Sequence, residues 1–439
     1  MSAEQRAFDL GAPPIEQSGW TKPQGLASTY SALESDIDGD VVIVGAGLAG
    51  ASLALHLAEA GVKPVVLEAR QPGWGASGRN AGHVLPIVRS MKPFEDFPDR
   101  GRAFLEAFRA HHTIPYDLAA KYGIDCDATR CGYINGMRSK SAFEAFLAQS
   151  AYLETLSLQK LIRIDAAQMR AALGSERYTF GVAYENGGRI NPYLFTNGMI
   201  AAALQRGASI HGDSEALTLQ KAGSRWCVRT AHGTVTASRV VFCTNAYATN
   251  VAPEFTRAFY PLTAYALTTR PLPQTLRDKI LPAKATFAQL PIDLNPLVRD
   301  RHDRLILSSI PRPGQAHDAQ RHFQDNLRWI ESVWPAARGA RIELESYWTG
   351  QVALRDVDFP GAFELQPGLY GLMYFNAWGN VMAPLMGKLI AEGLAADRMD
   401  ALPFPIGKPE RVSFAGKQDI LLRRLMIPAA RSAQRLGLI

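Results

Sequence analysis

The sequence has few cysteines and no long apolar segment. Four of its 439 residues are cysteine, at positions 126, 131, 227 and 243, and this irregular spacing excludes a disulfide framework or a zinc ribbon. No apolar stretch reaches the roughly 20 residues of a membrane span, and residues 1–14 lack the apolar core of a secretory signal. These absences predict reduced thiols, no metal site and a cytoplasmic location.

The chain also has little excess charge. Its 47 basic and 41 acidic residues leave a net charge of +6, and no long basic run occurs before the C-terminal tail. Nucleic-acid binding is therefore not expected, because no basic surface interleaved with aromatic residues is indicated. The small surplus is compatible with an anionic cofactor or substrate, and the length suits two or three domain-sized units.

A strand, a glycine-rich turn and a helix are predicted just after residue 40. The run from Val41 to Val44 is continuously apolar, which is typical of a buried parallel strand. It leads into Gly45, Gly47 and Gly50, which have the spacing of a dinucleotide-binding turn. There the first glycine allows the tight bend, the second admits a pyrophosphate, and the third brings the following helix close to the strand. The helix N-terminus then faces the anion.

An acidic residue completes this nucleotide-binding unit. A second apolar strand is predicted at residues 64–67 and ends at Glu68, 18 residues after Gly50. An acid at this position accepts hydrogen bonds from the adenosine ribose and disfavours a 2′-phosphate, which argues against NADP. The unit by itself leaves FAD and NAD open.

The next segment carries a family resemblance. Residues 73–82 read Gly-Trp-Gly-Ala-Ser-Gly-Arg-Asn-Ala-Gly. This segment resembles the D-amino-acid-oxidase-type FAD-dependent oxidoreductases, and within them the γ-glutamylputrescine oxidase branch, whose pattern differs here only at Ala81. The resemblance extends over nearly the whole chain, at residues 122–127, 177–179, 187–192, 244–247, 348–350 and 435–438. It implies an FAD cofactor and an FAD-dependent oxidoreductase.

The resemblance implies a fold of the α/β (α+β) class. A discontinuous Rossmann-like FAD-binding domain is expected beside a substrate domain built on an antiparallel sheet, for which residues 260–270 and 304–310 are the best strands. The predicted ranges are 1–35 for an N-terminal arm, 36–90, 160–255 and 340–400 for the FAD-binding domain, 91–159 and 256–339 for the substrate domain, and 401–439 for a C-terminal tail or helix.

The resemblance also assigns residues to the cofactor. It places the three glycines of the turn at the pyrophosphate, Glu68 at the adenosine ribose, Ala69 and Arg70 on the adenine side, and Thr244 near the pyrophosphate. The full predicted set is Gly45, Gly47, Leu48, Ala49, Gly50, Glu68, Ala69, Arg70, Gly75, Ala76, Ser77, Arg79, Asn80, Ala81, Gly82, Ala216, Thr244, Gly350, Gly379, Asn380 and Val381.

Polar side chains in this set have two interpretations. Ser77, Arg79 and Asn80 offer hydroxyl, guanidinium and amide donors to an anion. Alternatively, Arg79 forms a surface ion pair, and the other two stabilise a turn. The family's covalent-histidine position carries Arg79, and no cysteine occupies the late position used by covalent sarcosine oxidases. The predicted FAD is therefore non-covalent.

Two segments depart from the family pattern. Residues 377–381 read Ala-Trp-Gly-Asn-Val where the branch has Gly-His-Gly-Val. Backbone donors at the start of this predicted helix can still stabilise negative charge on a reduced flavin, whereas Trp378 either borders the ring or fills the core. Residues 292–297 and 308–311 replace other family segments, so the identity of the substrate does not transfer.

By the resemblance, the reaction is oxidation of an amine or amino acid. A hydride passes from the carbon next to nitrogen to flavin N5, and water hydrolyses the resulting imine to a carbonyl and an amine or ammonia. His83, Tyr265 and Trp378 are the candidates to face the substrate, although each also has a purely structural interpretation. Arginines at positions 299, 301 and 355 are candidates for binding a substrate carboxylate, or are surface residues.

Three functions are open at this point. The first is an oxidase that passes electrons to oxygen and forms hydrogen peroxide. The second is a membrane-peripheral dehydrogenase that reduces a quinone, with the basic and apolar tail at residues 411–439 as its anchor; the same tail is equally consistent with a docked terminal helix. The third is an assembly protein that binds flavin without turnover.

Overall fold

The computed structural model describes residues 13–22, 24–155, 161–412 and 421–435. The parts of the predicted arm and tail at residues 1–12, 23, 413–420 and 436–439 lie outside the described residues. Within the described ranges the chain forms β-sheets of six, eight, four and two strands, with helices packed against them. The predicted α/β class is confirmed.

The elements are numbered in chain order. The strands are β1 Ile37–Asp38, β2 Val41–Val44, β3 Pro64–Leu67, β4 His83–Val84, β5 Tyr133–Met137, β6 Ile162–Ile164, β7 Phe180–Tyr184, β8 Gly188–Arg189, β9 Ser209–His211, β10 Thr218–Ala222, β11 Arg225–Arg229, β12 Thr234–Ala237, β13 Arg239–Phe242, β14 Tyr260–Thr269, β15 Thr286–Gln289, β16 Leu297–Arg299, β17 Leu305–Ser309, β18 Leu344–Leu354, β19 Gly361–Gln366 and β20 Leu369–Met373. The α-helices are α1 Leu48–Glu59, α2 Arg102–His111, α3 Ile114–Lys121, α4 Lys140–Thr155, α5 Ala166–Leu173, α6 Pro192–Leu204, α7 Pro253–Thr256, α8 Gln274–Arg277, α9 Ala319–Val333, α10 Gly379–Ala395 and α11 Ile427–Arg435.

The six-stranded sheet is the Rossmann-like part of the fold. Its order is β19-β20-β13-β2-β3-β9, and all neighbours from β20 to β9 run parallel, while β19 is antiparallel at the edge. Because side chains alternate along a strand, Val41 and Ile43 of β2 face helices α1, α6 and α10. Val42 and Val44 face the opposite way, toward the small sheet β1-β12-β11-β10. Both faces of the parallel sheet are thus covered.

The eight-stranded sheet has the order β18-β14-β17-β16-β15-β5-β7-β6. The prediction of an antiparallel sheet needs one correction, because β15 and β5 run parallel. Helices α5 and α9 cover one face. The other face carries Trp348, which packs with Trp20 of the N-terminal arm and Tyr193 of α6.

Sheet membership differs from the predicted domain ranges in three places. Strands β6 and β7 fall within 160–255, and β18 falls within 340–400, yet all three pair in the eight-stranded sheet. Helices α2 and α3, within 91–159, share the core of α1 and α10 instead. Short strands carry no signal of which sheet they join, since register depends on distant partners. We propose that β6, β7 and β18 belong to the substrate domain, and that α2 and α3 belong to the FAD-binding domain.

The described part of the N-terminal arm is anchored to the rest of the fold by the buried side chain of Trp20. Trp20 is only 2% exposed, its Nε1 donates to the carbonyl oxygen of Asn80 at 2.7 Å, and its own carbonyl accepts a hydrogen bond from Asn191 at 2.8 Å. At the other end, Ile427 and Ala430 of α11 pack on Leu294. Among the residues described, no helix is both long and apolar enough to cross a membrane.

Candidate active site

A groove of two adjoining cavities lies between the parallel sheet and the eight-stranded sheet. The first cavity, of about 90 Å³, begins at the carboxyl ends of β2 and β3. The second cavity, of about 400 Å³, extends to the face formed by β14, β17 and β18. The two are lined in common by Gly47, Ala76, Ser77, Cys243 and Asn245. Such a groove suits a long ligand with two different ends.

The glycine-rich turn lies at the junction of the cavities. Gly45 has a φ of +104°, and a Cβ there would lie 3.0 Å from the carbonyl oxygen of Cys243. A Cβ on Gly50 would lie 2.0 Å from the carbonyl oxygen of Gly45, so only glycine lets α1 begin this close to the turn. The Leu48 N–H, at the start of α1, donates to Ser77 Oγ at 2.9 Å.

Glu68 lines the first cavity, as a ribose-binding residue would. Its Oε2 accepts a hydrogen bond from the Ala46 N–H at 2.8 Å, and its Oε1 accepts one from the Arg70 N–H at 3.0 Å. Burial raises the pKa of Glu68, although these two hydrogen bonds oppose the shift. The backbone therefore fixes the orientation of this carboxyl group.

Arg79 does not form the surface ion pair of its second interpretation. It is buried, and its guanidinium donates to the carbonyl oxygens of Trp74 at 2.7 Å, Thr349 at 3.3 Å and Pro13 at 2.8 Å. Asn80 likewise donates to the Ser77 carbonyl at 2.9 Å. These donors bind carbonyl oxygens of the arm, of residues 73–82 and of β18, while both residues also line the second cavity. Their predicted role toward the cofactor stays a prediction. Sequence spacing cannot distinguish the two uses, because both need the same side chains.

Most of the predicted cofactor-binding residues lie on the groove. Those on the first cavity are Gly45, Gly47, Glu68, Ala69, Arg70, Gly75, Ala76, Ser77, Ala216 and Thr244. Those on the second are Gly47, Leu48, Ala49, Ala76, Ser77, Arg79, Asn80, Ala81, Gly350, Gly379, Asn380 and Val381. Gly50 and Gly82 line neither cavity, and both are closely packed: a Cβ on Gly82 would lie 2.5 Å from the Ile190 carbonyl oxygen.

A strained turn precedes α10 and places the N-terminus of this helix at the second cavity. Tyr374, Asn376 and Ala377 all have φ values between +47° and +62°, which costs free energy for residues other than glycine and is most often found at functional sites. Arg89 holds the turn by donating to the carbonyl oxygens of Asn376 at 2.8 Å and Ala377 at 3.2 Å. The helix N-terminus at Gly379 favours negative charge in this cavity.

Four buried polar atoms around the second cavity have no hydrogen-bond partner among the described residues. They are Nδ1 and Nε2 of His83, Nε1 of Trp378 and Oδ1 of Asn380. An unpaired buried donor or acceptor costs about 1–3 kcal/mol, so their clustering points to a ligand with hydrogen-bonding groups along its edges. A flavin has such edges, and the residues present therefore fit FAD.

Acidic and aromatic side chains that the sequence did not single out also line this cavity. Burial raises the pKa of Asp293 to about 7, opposed by main-chain hydrogen bonds from Asn295 and Gln289. The ring of Tyr133 lies edge-on to His83 at 5.4 Å, and burial lowers the pKa of His83 to about 3. The only available signal was that Asp293 lies in a segment departing from the family pattern.

Tyr265, a predicted candidate, lines the second cavity, and its side chain is fixed by contacts with α9 and β18. Its hydroxyl accepts a hydrogen bond from Asn326 Nδ2 at 2.9 Å, and its ring stacks on His322 at 4.5 Å and on Tyr347 at 5.4 Å. The ring therefore packs against α9 on the helix-covered face of the sheet, as its predicted structural role requires. Its role toward the substrate stays a prediction.

The three arginines proposed for a substrate carboxylate do not line the groove. Arg299 is buried and donates to Asp303 at 2.6 Å, Arg301 donates to Asp125 at 2.5 Å, and Arg355 donates to the Phe359 carbonyl at 2.9 Å. Their proposed role in the groove is therefore wrong. Across the described residues, no group of three or more His, Cys, Asp or Glu side chains is placed to hold a metal ion.

Comparisons with known proteins agree with this geometry. The profile of the family described as DAO, FAD dependent oxidoreductase, matches residues 40–393. A γ-glutamylputrescine oxidoreductase of Escherichia coli is 30% identical over 399 residues, covering 88% of this chain and 92% of that protein.

Solved structures show the shared fold. An L-amino acid deaminase from Proteus vulgaris has a TM-score of 0.69 at 19% identity, covering 89% of this chain and 98% of that one. A glycine oxidase from Geobacillus kaustophilus has a TM-score of 0.67 at 19% identity, covering 83% and 96%. The resemblance seen in the sequence is confirmed, and the chain belongs to the DAO family of FAD-dependent oxidoreductases.

Proposed function

We propose that this enzyme oxidises a small-molecule amine or amino acid whose nitrogen is held in the second cavity. The observation that carries the proposal is the buried carboxyl group of Asp293 on that cavity. It offers a counter-charge to a protonated amine where little else in the lining would favour a cation. The names of the relatives, a γ-glutamylputrescine oxidoreductase, an amino acid deaminase and a glycine oxidase, support the same substrate class.

In this proposal FAD lies along the whole groove. The first cavity takes the adenosine half, with Glu68 at the ribose, and the second takes the flavin beside Trp378 and the start of α10. When bound, FAD supplies the hydride acceptor at N5. We expect the attachment to be non-covalent, because the cysteine at the junction, Cys243, is buried and its thiol pKa is raised by burial, which makes it a poor nucleophile.

The side chains of the second cavity then have separable tasks. The carboxylate of Asp293 binds the substrate ammonium and accepts its proton, since its pKa of about 7 matches that task near neutrality. His83 stays neutral and accepts a hydrogen bond from the remaining N–H, because its pKa is lowered to about 3. The N-terminus of α10 stabilises the negative charge that accumulates on the reduced ring. The reaction otherwise depends on alignment of the C–H bond.

We propose oxygen as the electron acceptor, with hydrogen peroxide as product, and a cytoplasmic location. A quinone is the second candidate, because one observation favours a membrane-peripheral enzyme. Leu421, Leu425 and Met426 are 51%, 60% and 55% exposed on the C-terminal segment, beside the exposed Arg424. An apolar patch next to basic charge suits the surface of an anionic bilayer.

Turnover of an amine panel tests the proposal and separates the acceptors. Aerobic reactions should form one peroxide per carbonyl product, whereas the quinone alternative predicts product only when a soluble quinone is added. Asp293→Asn should raise the KM for the preferred amine and retain the flavin. Failure of every amine and amino acid to yield a carbonyl product with either acceptor would refute the proposed function.

A further inference from the structure

A third cavity, of about 280 Å³, lies on the helix side of the eight-stranded sheet, between the sheet, α9 and α11. Four arginines line it: Arg177, Arg312, Arg328 and Arg431. Among the described residues, Asp325 is the single acidic one in the lining, so the formal charge of the described lining is four minus one, or +3. We refer to it as the arginine cavity.

The acidic residue is already neutralised by its neighbours. Asp325 accepts hydrogen bonds from Arg312 Nη2 at 2.7 Å and from Arg328 Nη2 at 2.5 Å. Burial opposes ionisation of Asp325, but the hydrogen bonds from Arg312 and Arg328 prevail and lower its pKa. The carboxylate therefore holds two guanidinium groups in place and leaves the cavity strongly positive.

Arg177 is the part of this lining that most clearly indicates a ligand. Its Nε atom is buried and has no hydrogen-bond partner within the described part of the chain. Its backbone N–H is fixed by Ser175 Oγ at 3.2 Å, which anchors the residue beside Tyr178. Leaving such a donor unpaired is costly, and a planar guanidinium pairs best with a carboxylate or another oxyanion.

The arginine cavity adjoins the groove through one shared residue. Tyr265 lines both the arginine cavity and the second cavity. Residues adjacent in the chain also line different cavities: Asp293 and Ser308 lie on the second cavity, whereas Leu294 and Ser309 lie on the arginine cavity. A ligand in one cavity is therefore only one layer of residues away from the other.

We propose that the arginine cavity is a binding site for the carboxylate group of a small organic acid. The volume of about 280 Å³ limits the ligand to a small molecule. The side-chain nitrogens of Asn295, Asn326 and Trp329, which also line the cavity, already donate to protein acceptors, so recognition of the acid falls to the guanidinium groups. The acid is either a free metabolite or the far end of an amine substrate, and the latter case alone rests on the proposed function.

Direct binding tests the site without requiring turnover. Titration calorimetry of the FAD-loaded protein with glutarate should show binding, whereas the neutral diamide of glutarate should not bind. Arg177→Gln should weaken glutarate binding by about tenfold or more, the loss expected for one charge-assisted hydrogen bond. Arg321→Gln, on α9 but outside the cavity lining, is the matched control and should bind as the unmodified protein does.

Two outcomes would overturn the proposal: glutarate fails to bind, or it binds Arg177→Gln and the unmodified protein equally. Flavin content and melting temperature verify that the variants are folded.

Kinetics then distinguish the two sources of the carboxylate. If it is the far end of the substrate, Arg177→Gln raises the KM for 5-aminovalerate at least tenfold relative to its effect on pentylamine. If the acid binds separately, the variant loses glutarate binding while the KM values of both amines stay unchanged. Either result supports the carboxylate site, and the binding measurement stands even if neither amine is oxidised.

Discussion

Gly50 has no room for a side chain. A Cβ there would meet the carbonyl oxygen of Gly45 at 2.0 Å, and neither backbone segment can yield without moving the start of α1. Gly50→Ala should therefore reduce the free energy of unfolding by about 1–3 kcal/mol, the usual cost of overpacking, and lower the FAD content of the purified protein. Chemical denaturation and flavin absorbance measure the two effects.

Gly407→Ala is the matched control, because a Cβ on Gly407 has no other heavy atom within 4 Å among the described residues. Its stability and FAD content should match those of the unmodified protein. Equal stability of the two variants would contradict the close packing assigned to the turn.

Asp293 should control the pH dependence of amine oxidation. Its pKa is raised to about 7 by burial, so the carboxylate forms as the pH rises through that value, and amine binding strengthens in the same direction. Asp293→Asn should lower kcat/KM about 10- to 100-fold at about pH 8, as expected for loss of a hydrogen bond to a charged group. The ratio of unmodified to variant kcat/KM should rise from about pH 6 and level off above about pH 8.

The free energy of unfolding of Asp293→Asn provides a control, because it shows whether a loss of activity reflects misfolding. A carboxyl whose folded-state pKa lies above its unfolded value stabilises the fold only while protonated, and that contribution is lost as the pH rises through about 7. Asp293→Asn should therefore be at least as stable as the unmodified protein above this pH. A pH-independent ratio of kcat/KM would argue against the assigned role.

Single residues differ in how far the sequence predicts them. The position of Gly45, Gly47 and Glu68 on the groove could be predicted because strand, turn and helix are contiguous and their spacing is dictated by local geometry. Asp293 could not, since nothing near it in the chain indicates that its carboxyl is buried on a cavity. Arg299 was misinterpreted because its partner Asp303 gives an equally ordinary use for a buried arginine.

The turn before α10 is the element on which the ring end of the groove depends. Arg89 donates to two of its carbonyl oxygens and lies 5.4 Å from the ring of Trp378. Arg89→Met should release the turn, weaken FAD binding about tenfold or more, and lower stability by about 1–3 kcal/mol. Fluorescence of released FAD during dilution gives the dissociation constant.

An exposed arginine supplies the comparison for this element. Arg341 pairs with Glu343 at the surface, and exposed ion pairs contribute about 1 kcal/mol or less. Arg341→Met should therefore leave FAD binding unchanged. Similar FAD affinities for Arg89→Met and Arg341→Met would show that the turn does not need Arg89.

Elements with a continuous pattern were predicted well, and their assembly was not. The sequence indicated β2 and β14 nearly within their observed bounds, since each has a clear apolar run, and it indicated the start of α10. It did not indicate that β18 pairs along its whole length with β14, because pairing depends on register between segments about eighty residues apart. The same limit explains why the sequence did not indicate that β6 and β7 pair in the eight-stranded sheet.

At the scale of the molecule, the groove explains why the cofactor is easier to infer than the substrate. Its first cavity is built mainly from the nucleotide-binding unit and strand ends, whereas the second draws on β14, β17, β18 and the start of α10. Substrate recognition therefore depends on side chains that meet only in the folded chain. Part of this lining, at Asp293, Pro296, Ser308 and the start of α10, lies in segments that depart from the family pattern.

The central claim is that an amine bound in the second cavity reduces FAD held in the same groove. Anaerobic mixing of the FAD-loaded enzyme with the preferred amine tests it directly, by following the absorbance of oxidised flavin. The account predicts complete bleaching with one carbonyl product per flavin, and slower bleaching when the carbon next to nitrogen carries deuterium. Flavin that stays oxidised with every amine and amino acid, yet is bleached by dithionite, would contradict it.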